Sequence, residues 1–260
     1  MERKELALVT GASRGIGAAL ADQLARKGFD LILVARDLQA LEAVSQQIRQ
    51  RSAVDVHVLV EDLSDAQAPA RVFDWCAEKE LVPSMIVNNA GFGLNGPLEE
   101  YDAARFEAMV AVNSKSLVSL TRLFLPVLRT RKKGWILNVA STAAYQAVPG
   151  LAVYAATKAF VLFFSRALYH ELRGSGITVT CLSPGPTDTD WSRTAQLRGK
   201  AVQTAKRMNM SPDEVARIGL SAAFAGKAEV VAGFANRFSV FFVKFLPSSW
   251  VERVAKGLYE

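Results

Sequence analysis

The sequence predicts a single α/β domain, a mainly parallel sheet covered by helices on both faces and continued by a helical C-terminal extension. Two observations carry this expectation. Short runs that are apolar almost throughout, at 6–10, 31–35, 54–60, 84–87, 135–140 and 178–183, alternate with longer stretches of helical period. Strands of that kind need cover on both faces, and strand–helix–strand crossovers supply it in a parallel sheet. In addition, half of the 260 residues are apolar, enough for a sizeable core, and no Pro/Gly/Ser-rich linker, low-complexity tract or repeat divides them. The order is doubly wound and Rossmann-like, with the main domain over 1–235 and the extension over 236–260.

The first run ends in Thr10-Gly11-Ala12-Ser13-Arg14-Gly15-Ile16-Gly17 and leads into a helical pattern over 18–27. Glycines at such a turn let a pyrophosphate approach the backbone at a helix N-terminus, where N–H groups and the helix dipole favour anions. The spacing is Gly-x-x-x-Gly-x-Gly, and a purely structural turn has the same composition. Further along, Asp62 stands in Glu-Asp-Leu-Ser after the third run, and Asn88-Asn89-Ala90-Gly91 follows the fourth. Pro184-Gly185-Pro186-Thr187-Asp188-Thr189 follows the sixth. All lie at the C-terminal ends of strands, where an open α/β sheet places its ligand cleft. Each has a plain alternative as a cap, turn or loop.

In this order the motifs resemble the short-chain dehydrogenase/reductase family over roughly residues 5–235. The resemblance implies that Gly11, Ser13, Arg14, Gly15, Ile16 and Gly17 cradle a dinucleotide and that Asp62 and Leu63 contact adenine. It places Asn89, Ala90 and Gly91 on the adenosine and ribose side, and Pro184, Gly185, Thr187 and Thr189 near the carboxamide and phosphates. Where NAD-preferring members end the second strand in an acid, this chain has Ala35 and then Arg36. A guanidinium suits the 2′-phosphate of NADP, and Arg14 can approach the same group. NADP(H) is therefore the expected cofactor; the alternative is a pair of surface arginines, with Asp37 capping the next helix.

Tyr154-Ala-Ala-Thr-Lys158 opens a helical pattern reaching about residue 173, so Tyr154 and Lys158 share one helix face. A free tyrosine titrates near 10, and an adjacent cation favours its phenolate. Ser141 ends the fifth strand, at the mouth of the cleft. By resemblance, Asn113 supports a water-linked proton relay through Lys158, completing a tetrad of Asn113, Ser141, Tyr154 and Lys158. The implied reduction moves a hydride from the nicotinamide to a carbonyl carbon while Tyr154 protonates the oxygen and Ser141 holds it; Tyr154 and Lys158 also border the cofactor. Singly, these residues would pass for a helix-surface pair, a backbone-bonding asparagine and a turn hydroxyl.

The charge of +6 is spread along the chain, and the densest run, 129–133, reads as a solvated helix C-terminus. Without interleaved aromatics or a recognition helix, no nucleic-acid partner is expected. Cys76 and Cys181 form no Cys-x-x-Cys motif, which fits a reduced, cytoplasmic setting; His57 and His170 stand apart, so no metal site is expected. There is no signal-peptide pattern and no run of about 20 apolar residues to span a membrane.

The expected substrate is a small-molecule carbonyl or alcohol, lipophilic by analogy. The alternatives are a β-ketoacyl-carrier-protein reductase, with 129–133 as docking patch, and a non-catalytic NADP-binding regulator. A homo-oligomer using the helices over 103–128 and 153–173 is expected by resemblance, with internal cover for the sheet as the alternative for their apolar faces; residues 187–210, with Trp191, Leu197 and Met208, form a candidate lid, or else simple surface helices. In the extension, Phe238, Phe241, Phe242 and Phe245 fall on one helix face ended by Pro247, and Ser249 to Glu252 has capping-box spacing. This aromatic stripe is expected to pack on the domain or a second subunit and to border the substrate entrance. Arg237, Lys244, Arg253 and Lys256 make peripheral contact with anionic lipid the lesser alternative.

Overall fold

The computed structural model describes residues 4–189, 195, 209–243 and 245–259. Seven strands, β1 (Leu6–Thr10), β2 (Asp30–Ala35), β3 (Val56–Val60), β4 (Met85–Asn88), β5 (Gly134–Val139), β6 (Ile177–Ser183) and β7 (Glu229–Val231), form one sheet. Their order is β3-β2-β1-β4-β5-β6-β7, and every pairing is parallel. The first six match the expected runs to within one or two residues. β7 escapes sequence reading because it is three residues long and only half-buried.

Alternation along each strand divides the core in two. Ala7, Val9, Leu31, Leu33 and Val87 face α1 (Gly15–Arg26), α2 (Leu38–Arg51) and α7 (Pro212–Phe224). Leu8, Ile32, Val34, Ile86 and Val179 face α3 (Ala68–Glu78), α5 (Ser116–Arg131) and α6 (Ala152–Glu171). Both faces are covered, which is why the strands carry no polar alternation.

The expected continuous helix over 103–128 is α4 (Ala103–Val110) joined to α5 by a π-helical turn, Ala111–Lys115. The basic run ends α5, and Arg131 and Lys133 pair with Glu5 at 2.8 and 3.1 Å. It precedes β5 and therefore lies at the N-terminal end of the strands.

The extension comprises α8 (Phe234–Val243) and α9 (Ser248–Tyr259). Of the two partners expected for the aromatic stripe, the domain does not take it: Phe238, Phe241, Phe242 and Phe245 are exposed in the single chain, while Asn236 and Val240 of α8 and Val251 and Ala255 of α9 face inward. α9 begins at Ser248, so Ser249 lies inside its first turn instead of capping it. Trp191, Leu197 and Met208 of the expected lid lie outside the described residues; at its ends Thr187 bridges Met210 in parallel register.

Candidate functional site

A cleft of about 820 Å³ opens at the C-terminal ends of the central strands. Every residue expected to touch a cofactor lines it, and so do Ser141, Tyr154 and Lys158. Asn113 stands behind its wall.

The sheet reverses its order between β1 and β4, and the glycine turn sits at that switch point. Thr10 organises it. Its Oγ1 donates to Val87 O and accepts from Asn89 N and Ala90 N at 3.0 and 3.1 Å. The Asn89 amide donates to Thr10 O at 2.9 Å and Gly11 O at 3.2 Å, so this side chain holds the turn in shape as well as lining the cleft. Gly11 has φ +65°, and a Cβ on Gly17 would lie 2.1 Å from Gly11 O. A Cβ on Gly15 would lie 2.9 Å from Thr189 Cγ2, closing the cradle from the opposite side. Among the described residues no side chain caps α1, whereas Asp37 caps α2 and Ser211 caps α7. The first N–H groups of α1 are thus left for an anion.

Beyond β2 and β3 lie two arginine–carboxylate pairs. Arg14 meets Asp37 at 3.0 Å and Arg36 meets Asp62 at 3.7 Å, all four well exposed. Asp62 accepts from Ser64 N and Oγ at 3.0 and 2.8 Å. Partial burial would raise its pKa, but the Ser64 hydrogen bonds and the Arg36 guanidinium outweigh this and hold it below the usual carboxylate range. Sequence reading found both guanidiniums but not their carboxylate partners.

At the other end of the cleft, α6 presents Tyr154 and Lys158 from one face. Lys158 Nζ donates to Val139 O at 2.9 Å and lies 5.8 Å from the centre of the Tyr154 ring. Burial pushes the Lys158 pKa down to about 8. Ser141 follows β5, where its Oγ accepts from Ala143 N at 3.1 Å and its hydroxyl remains at the cleft.

Asn113 lies in the π-helical turn and is buried. Its Oδ1 accepts from Phe92 N at 3.0 Å, and its Nδ2 donates to Phe92 O at 2.9 Å and Thr157 Oγ1 at 3.0 Å. The amide therefore ties the loop after β4 to α6 beside Lys158. Beneath the cleft, Asn88 donates to Asn138 at 2.9 Å, and Asn138 to Ser165 at 2.9 Å, joining β4, β5 and α6.

Two further features shape this wall; sequence reading missed the first, and for the second it placed the extension at the entrance without saying which face of its helix lines it. Tyr145 OH donates to Glu229 at 2.5 Å and contacts Ser183 Oγ at 3.1 Å, while Arg166 holds the second Glu229 oxygen at 2.6 Å. Burial, reinforced by Glu229, keeps the Tyr145 phenol protonated far above its usual range. On the other side, Asn236, Ser239, Val240 and Val243 of α8 line the cleft, and Asn236 packs where a Cβ on Gly185 would be. Among the described residues no group of three or more His, Cys, Asp or Glu side chains is arranged to hold a metal.

The short chain dehydrogenase family model matches residues 5–198, and the chain belongs to the short-chain dehydrogenase/reductase family of oxidoreductases. An uncharacterized oxidoreductase of Staphylococcus saprophyticus is 31% identical over 207 residues, 77% of this chain and 88% of that one. Very-long-chain 3-oxoacyl-CoA reductase-B of Danio rerio is 37% identical over 191 residues, 72% of this chain but only 61% of that longer protein. A short-chain dehydrogenase from Sphingobium yanoikuyae, solved with NADPH, superposes with a TM-score of 0.81 at 31% identity, covering 93% of each chain.

Proposed function

We propose that the chain is an NADP(H)-dependent oxidoreductase acting on a lipophilic carbonyl or alcohol. The observation that carries this reading is the meeting, in one cleft, of a glycine cradle at an uncapped helix N-terminus with Ser141, Tyr154 and Lys158. A nicotinamide cofactor bound there supplies the hydride donor or acceptor. Gly11, Gly15 and Gly17 admit its pyrophosphate, and Arg14 and Arg36 exchange carboxylate partners for a 2′-phosphate. Asp62, Leu63 and Asn89 to Gly91 border the adenosine, while Thr187 and Thr189 hold the carboxamide and phosphate side.

Ser141 Oγ donates a hydrogen bond to the substrate oxygen, to which Tyr154 gives its phenolic proton in reduction and from which it takes one in oxidation. Lys158, anchored on Val139 O, favours the phenolate during that transfer. Asn113 is a positioning residue that holds Gly91, Phe92 and α6 in register. Fixed donors replace water that would otherwise have to reorganise around the developing charge.

Val148, Leu151, Val240 and Val243 give the substrate end an apolar lining, which supports a lipophilic substrate, as does the resemblance to a long-chain 3-oxoacyl reductase. Residues 1–235 form the catalytic unit, and the extension over 236–260 contributes α8 to the wall of its entrance. A homo-oligomer is supported by Phe160 and Phe163, exposed on the outer face of α6. A cytoplasmic setting is supported by Cys76 and Cys181, separate buried thiols. The carrier-protein alternative is not favoured, because the basic run lies at the end of the sheet away from the cleft and two of its cations engage Glu5.

The test is oxidation of NADPH and NADH across a panel of carbonyls with the parent, Tyr154→Phe and Ser141→Ala. Tyr154→Phe should keep NADPH affinity while turnover falls by about 10²–10⁴. Parental turnover by Tyr154→Phe would overturn the mechanism, and equal or better kcat/KM with NADH would overturn the cofactor choice.

A further inference from the structure

The aromatic stripe of the extension has no protein cover among the described residues. α8 turns Asn236 and Val240 inward and leaves Phe238, Phe241 and Phe242 outside. Phe234, 83% exposed, Phe245, 70%, and Trp250, 65%, extend that surface from α8 across the connection into α9. The rings form one patch, with centroids 4.3 Å apart for Phe238 and Phe242 and 5.0 Å apart for Phe241 and Phe245. A contiguous apolar patch of this kind marks an interaction surface. The segment also carries Arg237, Lys244, Arg253 and Lys256 against two carboxylates, Glu252, which lines a hollow beside α6, and Glu260, a net charge of +2.

We infer that α8 and α9 form an interfacial anchor that docks the enzyme on an anionic lipid bilayer. With 10 and 12 residues, the helices would be about 15 and 18 Å long, about half the thickness of a hydrocarbon core, and no described helix is long and apolar enough to cross. Phenylalanine and tryptophan beside lysine and arginine suit helices lying in the interface plane, where apolar burial and attraction to anionic headgroups add. A second copy of the chain is the poorer occupant. A two-fold contact would place the patch on itself and oppose its cations to like cations, whereas anionic lipid complements them. α8 is also a wall of the cleft, so docking sets the bilayer against one face of this helix and the substrate site against the other.

The test is flotation of the full chain with vesicles of phosphatidylcholine, alone or mixed with phosphatidylglycerol, alongside its Trp fluorescence and size in solution. Binding to the anionic vesicles should be about 30-fold tighter than to neutral ones, the effect of a net two surface cations. A blue shift in emission should accompany it and diminish in Trp250→Phe. Phe241→Ser/Phe245→Ser should abolish flotation and Arg237→Glu/Arg253→Glu should remove the anionic preference, with NADPH binding and melting temperature kept in both. These readouts do not depend on turnover, so they stand apart from the proposed reaction. Failure of the parent to float, or unchanged flotation of the phenylalanine variant, would overturn the inference. A parent oligomer that does not float, and that the phenylalanine variant dissociates, would overturn it in favour of a second copy.

Discussion

Replacing Lys158 with methionine should remove activity and, at the same time, stabilise the cofactor-free chain. The ammonium is buried, donates to Val139 O at 2.9 Å, and has no salt-bridge partner among the described residues. Burial lowers its pKa from 10.5 to about 8, which corresponds to about 3 kcal/mol of unfavourable charge burial at neutral pH. Methionine retains most of the packing but leaves the Val139 carbonyl without this donor, a loss of about 1–2 kcal/mol. The net gain of about 1–2 kcal/mol should raise Tm by about 2–6 °C in a domain of this size. Its pH dependence has a definite sign. Because the folded pKa lies below the unfolded one, the unfolded parent holds more protons between about 8 and 10.5, and the parent gains stability as pH rises through that window. The variant's advantage is therefore full below about 8, is lost within that window, and above about 10.5 gives way to a deficit of about 1–2 kcal/mol from the missing Val139 donor. Calorimetry of parent and variant without cofactor, across that window, measures it. A variant that melts below the parent at neutral pH, or an advantage that does not shrink with rising pH, would refute the reasoning.

Gly17→Ala would put a methyl 2.1 Å from Gly11 O and 2.5 Å from Asn89 Nδ2. It should lower stability by about 1–3 kcal/mol and weaken NADPH binding measured by calorimetry; parental values for both would show that the turn is slack. Arg14→Ala/Arg36→Ala should reduce kcat/KM for NADPH by about 10–100-fold and leave NADH nearly unchanged, and an equal loss with both cofactors would remove the 2′-phosphate assignment. Phe163→Asp places a charge on the exposed outer face of α6, 66% accessible in the single chain, and should shift the sedimentation profile to a smaller species if that face joins copies. An unchanged profile would exclude α6 as the interface.

Most of the sheet was legible in the sequence because its strands are apolar on both faces, and nearly all of the cleft was legible because the motifs at the strand ends, with Tyr154 and Lys158 on α6, resemble a known family. β7 was not, because three half-buried residues give no pattern. The π-helical turn was not either, since one wider turn leaves the apolar period around Asn113 almost unchanged while directing that side chain onto Phe92 and Thr157. The arginines before the 2′-phosphate position were visible, but their pairing with Asp37 and Asp62 depends on strands brought side by side by the fold. α8 shows the deeper limit. Periodicity identifies which residues share a helix face, and the stripe of Phe238, Phe241, Phe242 and Phe245 was found that way, but it says nothing about which face the domain takes. The domain takes the other one, because Asn236 fits against Gly185 and donates to Ala232 O at 2.7 Å, with Val240 beside it on the cleft. A helix that gives its more polar face to its own core leaves its aromatic face to be covered from outside, and that inversion is a stronger sign of an external surface than the stripe itself.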